Sequence, residues 1–193
     1  MFEWSDEHLM MRQAVRQFIE KEILPDIDAY EHEGRPPYDA LRKMFATFGI
    51  DAAARAGFAK RLEREADGGT AADRATGGGE SGGEGTGRDP AMTLIPTIEL
   101  SRYCPGMVTA LGVSMGLTAA AINSRGTRAQ RERWVPDLLS LAKIGAWAIT
   151  EPGSGSDAFG SMASTARRDG DGYVLNGSKT FITNGPYADT IVF

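Results

Sequence analysis

Apolar residues recur at helical spacing through the front of the chain and alternate toward its end, which predicts helices followed by strands. Met11, Val15, Phe18 and Ile19 share one helical face. Ser5 precedes them as an N-cap, Asp6 and Glu7 fill the first turn where the helix dipole favours acids, and Pro25 closes the run. Leu41, Met44, Phe45 and Phe48 mark a second helix, stopped by Gly49. Each apolar stripe needs another layer to cover it. Leu94, Ile95, Ile98 and Leu100 predict one face of a further helix. After Pro105 a helix rich in Gly, Ala and Ser runs to about Gly126, its small residues permitting close approach of other helices or of a ligand chain. Thr127 and Gln130 form a capping box for a helix carrying Trp134 and Leu138, which Pro136 is expected to shorten or bend.

Beyond Gly145 the period becomes two. Strands are predicted over Ala146–Thr150, Ser161–Arg168, Tyr173–Leu175, Lys179–Thr183 and Thr190–Phe193. Asp169-Gly170-Asp171-Gly172 reads as a turn, Asn176-Gly177 as a hairpin and Asn184-Gly185-Pro186 as a third turn, giving a meander. From Ala66 to Ala91 no apolar residue exceeds alanine in size, so residues 66–91 are expected to be a flexible insert. The expected class is therefore α+β: a helical N-terminal domain over residues 1–144, then the first part of an antiparallel β-domain over 145–193. Ile191-Val192-Phe193 ends the chain inside an apolar strand, so a truncated chain is expected.

Composition narrows the function classes. The 193 residues carry 21 basic and 26 acidic side chains, a net charge of −5, which disfavours nucleic-acid binding. One cysteine, Cys104, excludes an internal disulfide or a multi-cysteine metal site. His8 and His32 stand on or beside exposed helices without ligand spacing, so no metal is expected. The acidic N-terminus does not read as a secretory signal. The most apolar stretch, Met107–Ile122, is interrupted by Gly112, Ser114 and Gly116 and falls short of the roughly 18 residues of a membrane span. A soluble, cytoplasmic protein is expected.

Two segments carry the candidate chemistry. Thr150-Glu151-Pro152-Gly153-Ser154-Gly155-Ser156-Asp157 combines hydroxyls with glycines that let a backbone approach a ligand, and successive N–H groups there can cradle anionic oxygens. A long β-connection with serines bonding their own backbone would look the same. In Phe181-Ile182-Thr183-Asn184, alternation puts Phe181 and Thr183 on one face, which suits a flat ring with a polar edge or, equally, a core phenylalanine beside a turn. No G-x-S-x-G elbow or Walker loop occurs, and Gly153-Ser154-Gly155 lacks the helix and third glycine of a dinucleotide fingerprint.

Read together, three strings resemble the acyl-CoA dehydrogenase family. They are Gly126-Thr127-x-x-Gln130-x-x-x-Trp134-x-Pro136, Ala148-Ile149-Thr150-Glu151-Pro152-x-x-Gly155-Ser156-Asp157, and Tyr173-x-Leu175-x-Gly177-x-Lys179-x-Phe181-Ile182-Thr183-Asn184. The match is dense from about Glu99 onward. The resemblance implies a helical domain, a middle β-domain and a helical C-terminal domain, with FAD bound between the last two. It implies that Trp147, Ala148, Ile149, Thr150 and Ser156 line the flavin. Thr150 would meet the ring's polar edge, and Ser156 would serve both the pyrophosphate and the acyl-CoA substrate. Phe181 would take the place usually held by tryptophan against the ring, followed by Ile182 and then Thr183 near N5.

The implied reaction is α,β-dehydrogenation of an acyl-CoA thioester, with electrons leaving to an electron-transfer flavoprotein or similar acceptor and a homo-oligomer at full length. The family's base is a glutamate of the C-terminal domain, and nothing here matches it. No catalytic residue is assigned, Glu151 included, and the chain is expected to be an inactive fragment. A flavin monooxygenase or nitroalkane-type oxidase on the same fold, or a non-enzymatic binding module, stands as the alternative.

Overall fold

The computed structural model describes residues 3–66 and 89–193. Helix α1 (Asp6–Glu22) starts with the predicted cap: Ser5 Oγ accepts from the His8 N–H, and His8 Nδ1 accepts from the Ser5 N–H. A short 3-10 turn carrying Pro25 leads into α2 (Ile27–Glu31), and α3 (Tyr38–Thr47) stops at Gly49, whose φ is +65°. Helix α4 (Ile50–Ala66) has no counterpart in the apolar pattern, because alanine and charge dominate it and only Phe58 and Leu62 are buried. Of the stretch expected to be a flexible insert, residues 67–88 lie outside the described residues. Its edges are helical: Ala66 closes α4, and Asp89 caps α5 (Pro90–Ser101) by accepting from the Ala91 N–H.

The single apolar face predicted for α5 is split. Ala91, Ile95 and Leu100 are buried with Glu99, whereas Leu94 and Ile98 face outward. Burying Glu99 is tolerable because Arg12 and Arg16 of α1 both reach it, Arg12 Nε at 2.6 Å and Arg16 Nε at 2.9 Å. The i, i+4 row of Ile95 and Glu99 thus faces α1, and the Leu94–Ile98 row cannot.

Helix α6 (Pro105–Arg125) is continuous for 21 residues, as the pattern after Pro105 predicts, and it corrects the expected shortfall from a membrane-spanning length. Its glycines do not break it. Instead, residues Gly112–Thr118 form a π-helical segment, in which Thr118 Oγ1 donates to the Val113 carbonyl. By length and composition alone this helix is long and apolar enough to cross a membrane. In the fold it packs against α5, against α7 (Arg128–Leu139) and against strand β1 (Gly145–Trp147), with Ser114, Thr118 and Asn123 buried. The Thr127–Gln130 capping box of α7 forms as predicted, and the helix runs three residues past Pro136.

Two apolar clusters hold the helices together. Val15, Ile19, Ile23, Leu41, Met44, Phe45, Leu100, Met107 and Ile144 join α1, α3, α5 and α6 to the residue before β1. Phe58, Leu62, Ala119, Val135 and Leu138 join α4, α6 and α7. At that second junction Arg131, 4% exposed, donates to both carboxylate oxygens of Glu65 and to Asn123 Oδ1. His8, expected on an exposed face, is buried, and its Nε2 lies 2.6 Å from Asp89 Oδ2.

The C-terminal quarter departs from a simple meander. Strand β1 pairs in parallel with β4 (Thr190–Val192), in the register Gly145–Thr190, Ala146–Ile191 and Trp147–Val192. Strands β2 (Thr165–Asp169) and β3 (Gly172–Asn176) form a separate antiparallel hairpin around Gly170, φ +58°. A one-turn helix α8 (Ala158–Ser161) replaces the start of the predicted second strand. Lys179–Thr183 is not a strand, and Asn176-Gly177 does not turn a hairpin. Gly177 instead passes so close to Ser164 that a Cβ there would lie 2.6 Å from the serine Cβ. Periodicity could indicate extended chain, but not which partner it would choose.

Candidate functional site

The two candidate segments are neighbours. Residues 180–184 run antiparallel to residues 145–150 and are tied at both ends. At one end the Thr180 N–H donates to the Thr150 carbonyl (3.0 Å); at the other, Asn184 Nδ2 donates to the Gly145 carbonyl (2.9 Å). On the β4 side, the Ala148 N–H donates to the Val192 carbonyl (2.8 Å). The stretch Trp147–Thr150 is therefore held by two different partners, β4 and the 180–184 segment.

The Thr-Glu-Pro turn is built around Glu151. Its backbone bonds reciprocally with Ser154 (2.9 and 3.1 Å). Its buried carboxylate accepts from Lys179 Nζ (2.8 Å), from the Ala163 N–H (2.7 Å) and from the Ser164 N–H (3.0 Å). Lys179 Nζ also donates to the Ile149 carbonyl (3.1 Å), so one ammonium binds both sides of Thr150. The Lys179 ammonium first, then Ser164 and the Ala163 N–H, hold the Glu151 carboxyl down at about 2. Asp157, at the end of the same turn, is also held below its ordinary range, chiefly by Ser161. A carboxylate so stabilised is a poor proton acceptor.

The predicted site residues fall into three groups. Ala148 is buried, while Trp147, Ile149, Thr150, Ile182 and Thr183 are half-buried along the junction. Phe181 is 91% exposed with φ +54°, so it does not share a strand face with Thr183; a positive φ replaces the alternation on which that expectation rested. Ser156 is exposed on the Gly-rich turn, tied to neither Phe181 nor Thr183 by any hydrogen bond among the described residues. An open depression of about 420 Å³ adjoins that turn, lined by Glu151, Pro152, Gly153, Ser161, Ser164 and Gly177, and none of the eight predicted residues lines it.

The junction fits a flavin by its donor set. The hydroxyls of Thr150, Ser156 and Thr183 hydrogen-bond to none of the described residues, so they remain available as neutral donors. Phe181 offers a bare aromatic face, and Gly153 and Gly155 have nothing within 4 Å of where a Cβ would sit, leaving backbone open to a diphosphate. Among the described residues no group of three His, Cys, Asp or Glu side chains could hold a metal.

Sequence reasoning gave no role to two residues that build this geometry. Lys179 stands only inside the third motif string, and Tyr38, the first residue of α3, carries no signal in the apolar pattern. Yet the Tyr38 hydroxyl donates to Asn184 Oδ1 across 146 positions of sequence (3.0 Å). The Asn-Gly-Pro turn was the available signal, since asparagine is the side chain that best tolerates the left-handed conformation that Asn184 adopts.

Comparison with known proteins identifies the class. The family model for the acyl-CoA dehydrogenase middle domain matches residues 146–193, and that for the N-terminal domain matches residues 5–78 and 75–142. The chain belongs to the acyl-CoA dehydrogenase family. It is 33% identical over 193 residues to the short-chain specific acyl-CoA dehydrogenase of Clostridium acetobutylicum, covering 99% of this chain and 44% of that protein. Among solved structures it resembles an acyl-CoA dehydrogenase from Geobacillus kaustophilus, with a TM-score of 0.71 and 32% identity over 98% of this chain and 43% of that one. It also resembles an acyl-CoA dehydrogenase from Bacillus anthracis complexed with FAD, with a TM-score of 0.69 and 28% identity over 99% and 29% of the two chains. The chain thus spans less than half the length of the relatives it matches.

Proposed function

We propose that this chain forms the cofactor-facing front of an FAD-dependent acyl-CoA dehydrogenase, acting in α,β-dehydrogenation of an acyl-CoA thioester. One observation carries the reading: two hydroxyl-bearing segments, distant in sequence, meet at the bond from the Thr180 N–H to the Thr150 carbonyl, beside an exposed phenylalanine and with their hydroxyls uncommitted. Bound FAD would supply the two-electron acceptor for the hydrogen leaving the β-carbon. Trp147, Ala148, Ile149 and Ile182 would line the ring, and Phe181 would cover one of its faces. Thr150 would donate to the polar edge of the ring and Thr183 near its centre. Ser156, on the bare glycine turn, would meet the pyrophosphate and the substrate. The electron acceptor would be an electron-transfer flavoprotein or a similar protein in the cytoplasm, and the full-length enzyme would be a homo-oligomer.

The 193 residues alone are proposed not to turn over substrate. The Glu151 carboxylate, committed to Lys179 and to the Ala163 and Ser164 N–H groups, is poorly suited to abstract an α-proton, and Asp157 of the same turn is likewise held below its ordinary range by Ser161. The test is to reconstitute the chain with FAD and assay acyl-CoA oxidation with an artificial electron acceptor. The expected result is flavin-bound protein without turnover. Turnover by the chain alone would overturn the proposal that it lacks a base, and a folded chain that takes up no flavin would overturn the cofactor assignment.

A further inference from the structure

The Phe181–Thr183 segment has no strand pairing of its own, so something else must fix it against β1. Asn184 is the only residue of that turn that is buried, at 8% exposure among the described residues, and all of its side-chain bonds reach outside the turn. Nδ2 donates to the Ala110 carbonyl of α6 (3.0 Å) and to the Gly145 carbonyl of β1 (2.9 Å), while Oδ1 accepts from the Tyr38 hydroxyl of α3 (3.0 Å). One carboxamide therefore joins the helical domain, β1 and the turn. Tyr38 is itself fixed by an edge-on contact with Tyr187, three residues beyond Asn184 (ring centroids 5.8 Å apart).

We propose that Asn184 is the positioning residue that fixes Phe181 and Thr183 against Trp147–Thr150, with Tyr38 as its anchor in the helical domain. The claim that this placement serves a flavin rests on the cofactor reading above. The chemistry requires an amide. A carboxylate would turn acceptor against the two backbone carbonyls, and an aliphatic residue would remove all three bonds and leave the buried Tyr38 hydroxyl without its acceptor. The left-handed backbone, φ +65°, favours asparagine or glycine over other side chains.

Asn184→Gly is the cleanest test, because glycine keeps the left-handed backbone without strain and removes only the carboxamide. Tyr38→Phe is the milder companion, removing one of the three bonds. Two measurements on the whole chain separate the claims. In hydrogen exchange, the Thr180, Gly185 and Tyr187 amides should exchange at least about tenfold faster in Asn184→Gly, while core amides of α1 such as Ile19 stay protected. In FAD titration followed by flavin fluorescence, Asn184→Gly should bind about tenfold more weakly and Tyr38→Phe less so.

Unchanged local exchange in Asn184→Gly overturns the positioning role. Faster local exchange with unaltered FAD affinity overturns its service to the cofactor. If the parent chain binds no FAD and local exchange still rises, the cofactor reading fails and the positioning role stands.

Discussion

Lys179 and Glu151 form an ion pair at 2.8 Å whose side chains are 7% and 6% exposed, and the pair closes the turn on which Thr150 sits. The lysine ring contact with Phe193 (5.2 Å) and its bond to the Ile149 carbonyl leave the ammonium little freedom. Removing one partner would strand the other as a buried charge, which is costlier than losing the pair as a unit. Lys179→Met should therefore lower the urea midpoint more than Glu151→Gln with Lys179→Met combined. A double-mutant cycle measures the difference.

Acid should destabilise the fold through the same site. The Glu151 carboxyl titrates at about 2 in the folded chain, below its ordinary value of 4.5. A carboxyl depressed on folding contributes its stability above the unfolded value, and that contribution is lost as the pH falls from there through about 2. Glu99 acts in the same direction: burial pushes it up, but the bonds from Arg16 and Arg12 outweigh burial and hold it below its ordinary value. Denaturation midpoints measured from pH 7 down to pH 3 should fall below about pH 4.5, and Glu151→Gln should flatten that fall.

The α1–α5 contact supplies a larger effect. Glu99 is fully buried between Arg12 and Arg16, whose side chains are 34% and 35% exposed. Glu99→Ala leaves two guanidinium groups facing an emptied site and should cost about 3 kcal/mol in chemical denaturation. Arg12→Ala alone should cost less, because Arg16 still holds both carboxylate oxygens.

Gly145 is constrained by contact rather than by conformation. A Cβ there would lie 2.8 Å from Thr118 Cβ, and the Gly145 N–H donates to Ser114 Oγ at 3.0 Å. Gly145→Ala should force β1 away from the π-helical segment and destabilise the chain by about 1–3 kcal/mol. Thermal melting reads the loss.

Local rules in the sequence foretold the helical part well, since caps and stops act over a few residues. Ser5, the Thr127–Gln130 box and Gly49 all stand where the chemistry put them. Helix α4 was invisible because two buried residues, Phe58 and Leu62, are too few to set a period. The β part was less legible. Its parallel β1–β4 pairing and the Asn184 anchor are long-range choices, and alternation along Lys179–Thr183 carries no information about a positive φ at Phe181. The two candidate segments were nonetheless visible as hydroxyl- and glycine-rich turns, and the fold brings them side by side.

In the proposed enzyme, Thr150 and Thr183 present their hydroxyls to one flavin. Calorimetric titration of FAD into the chain and into its Thr150→Ala/Thr183→Ala variant tests it most directly, with far-UV circular dichroism confirming that both are folded. Saturable binding by the parent and an affinity at least about tenfold lower in the variant are the expected results. Equal affinities in two folded proteins would contradict it.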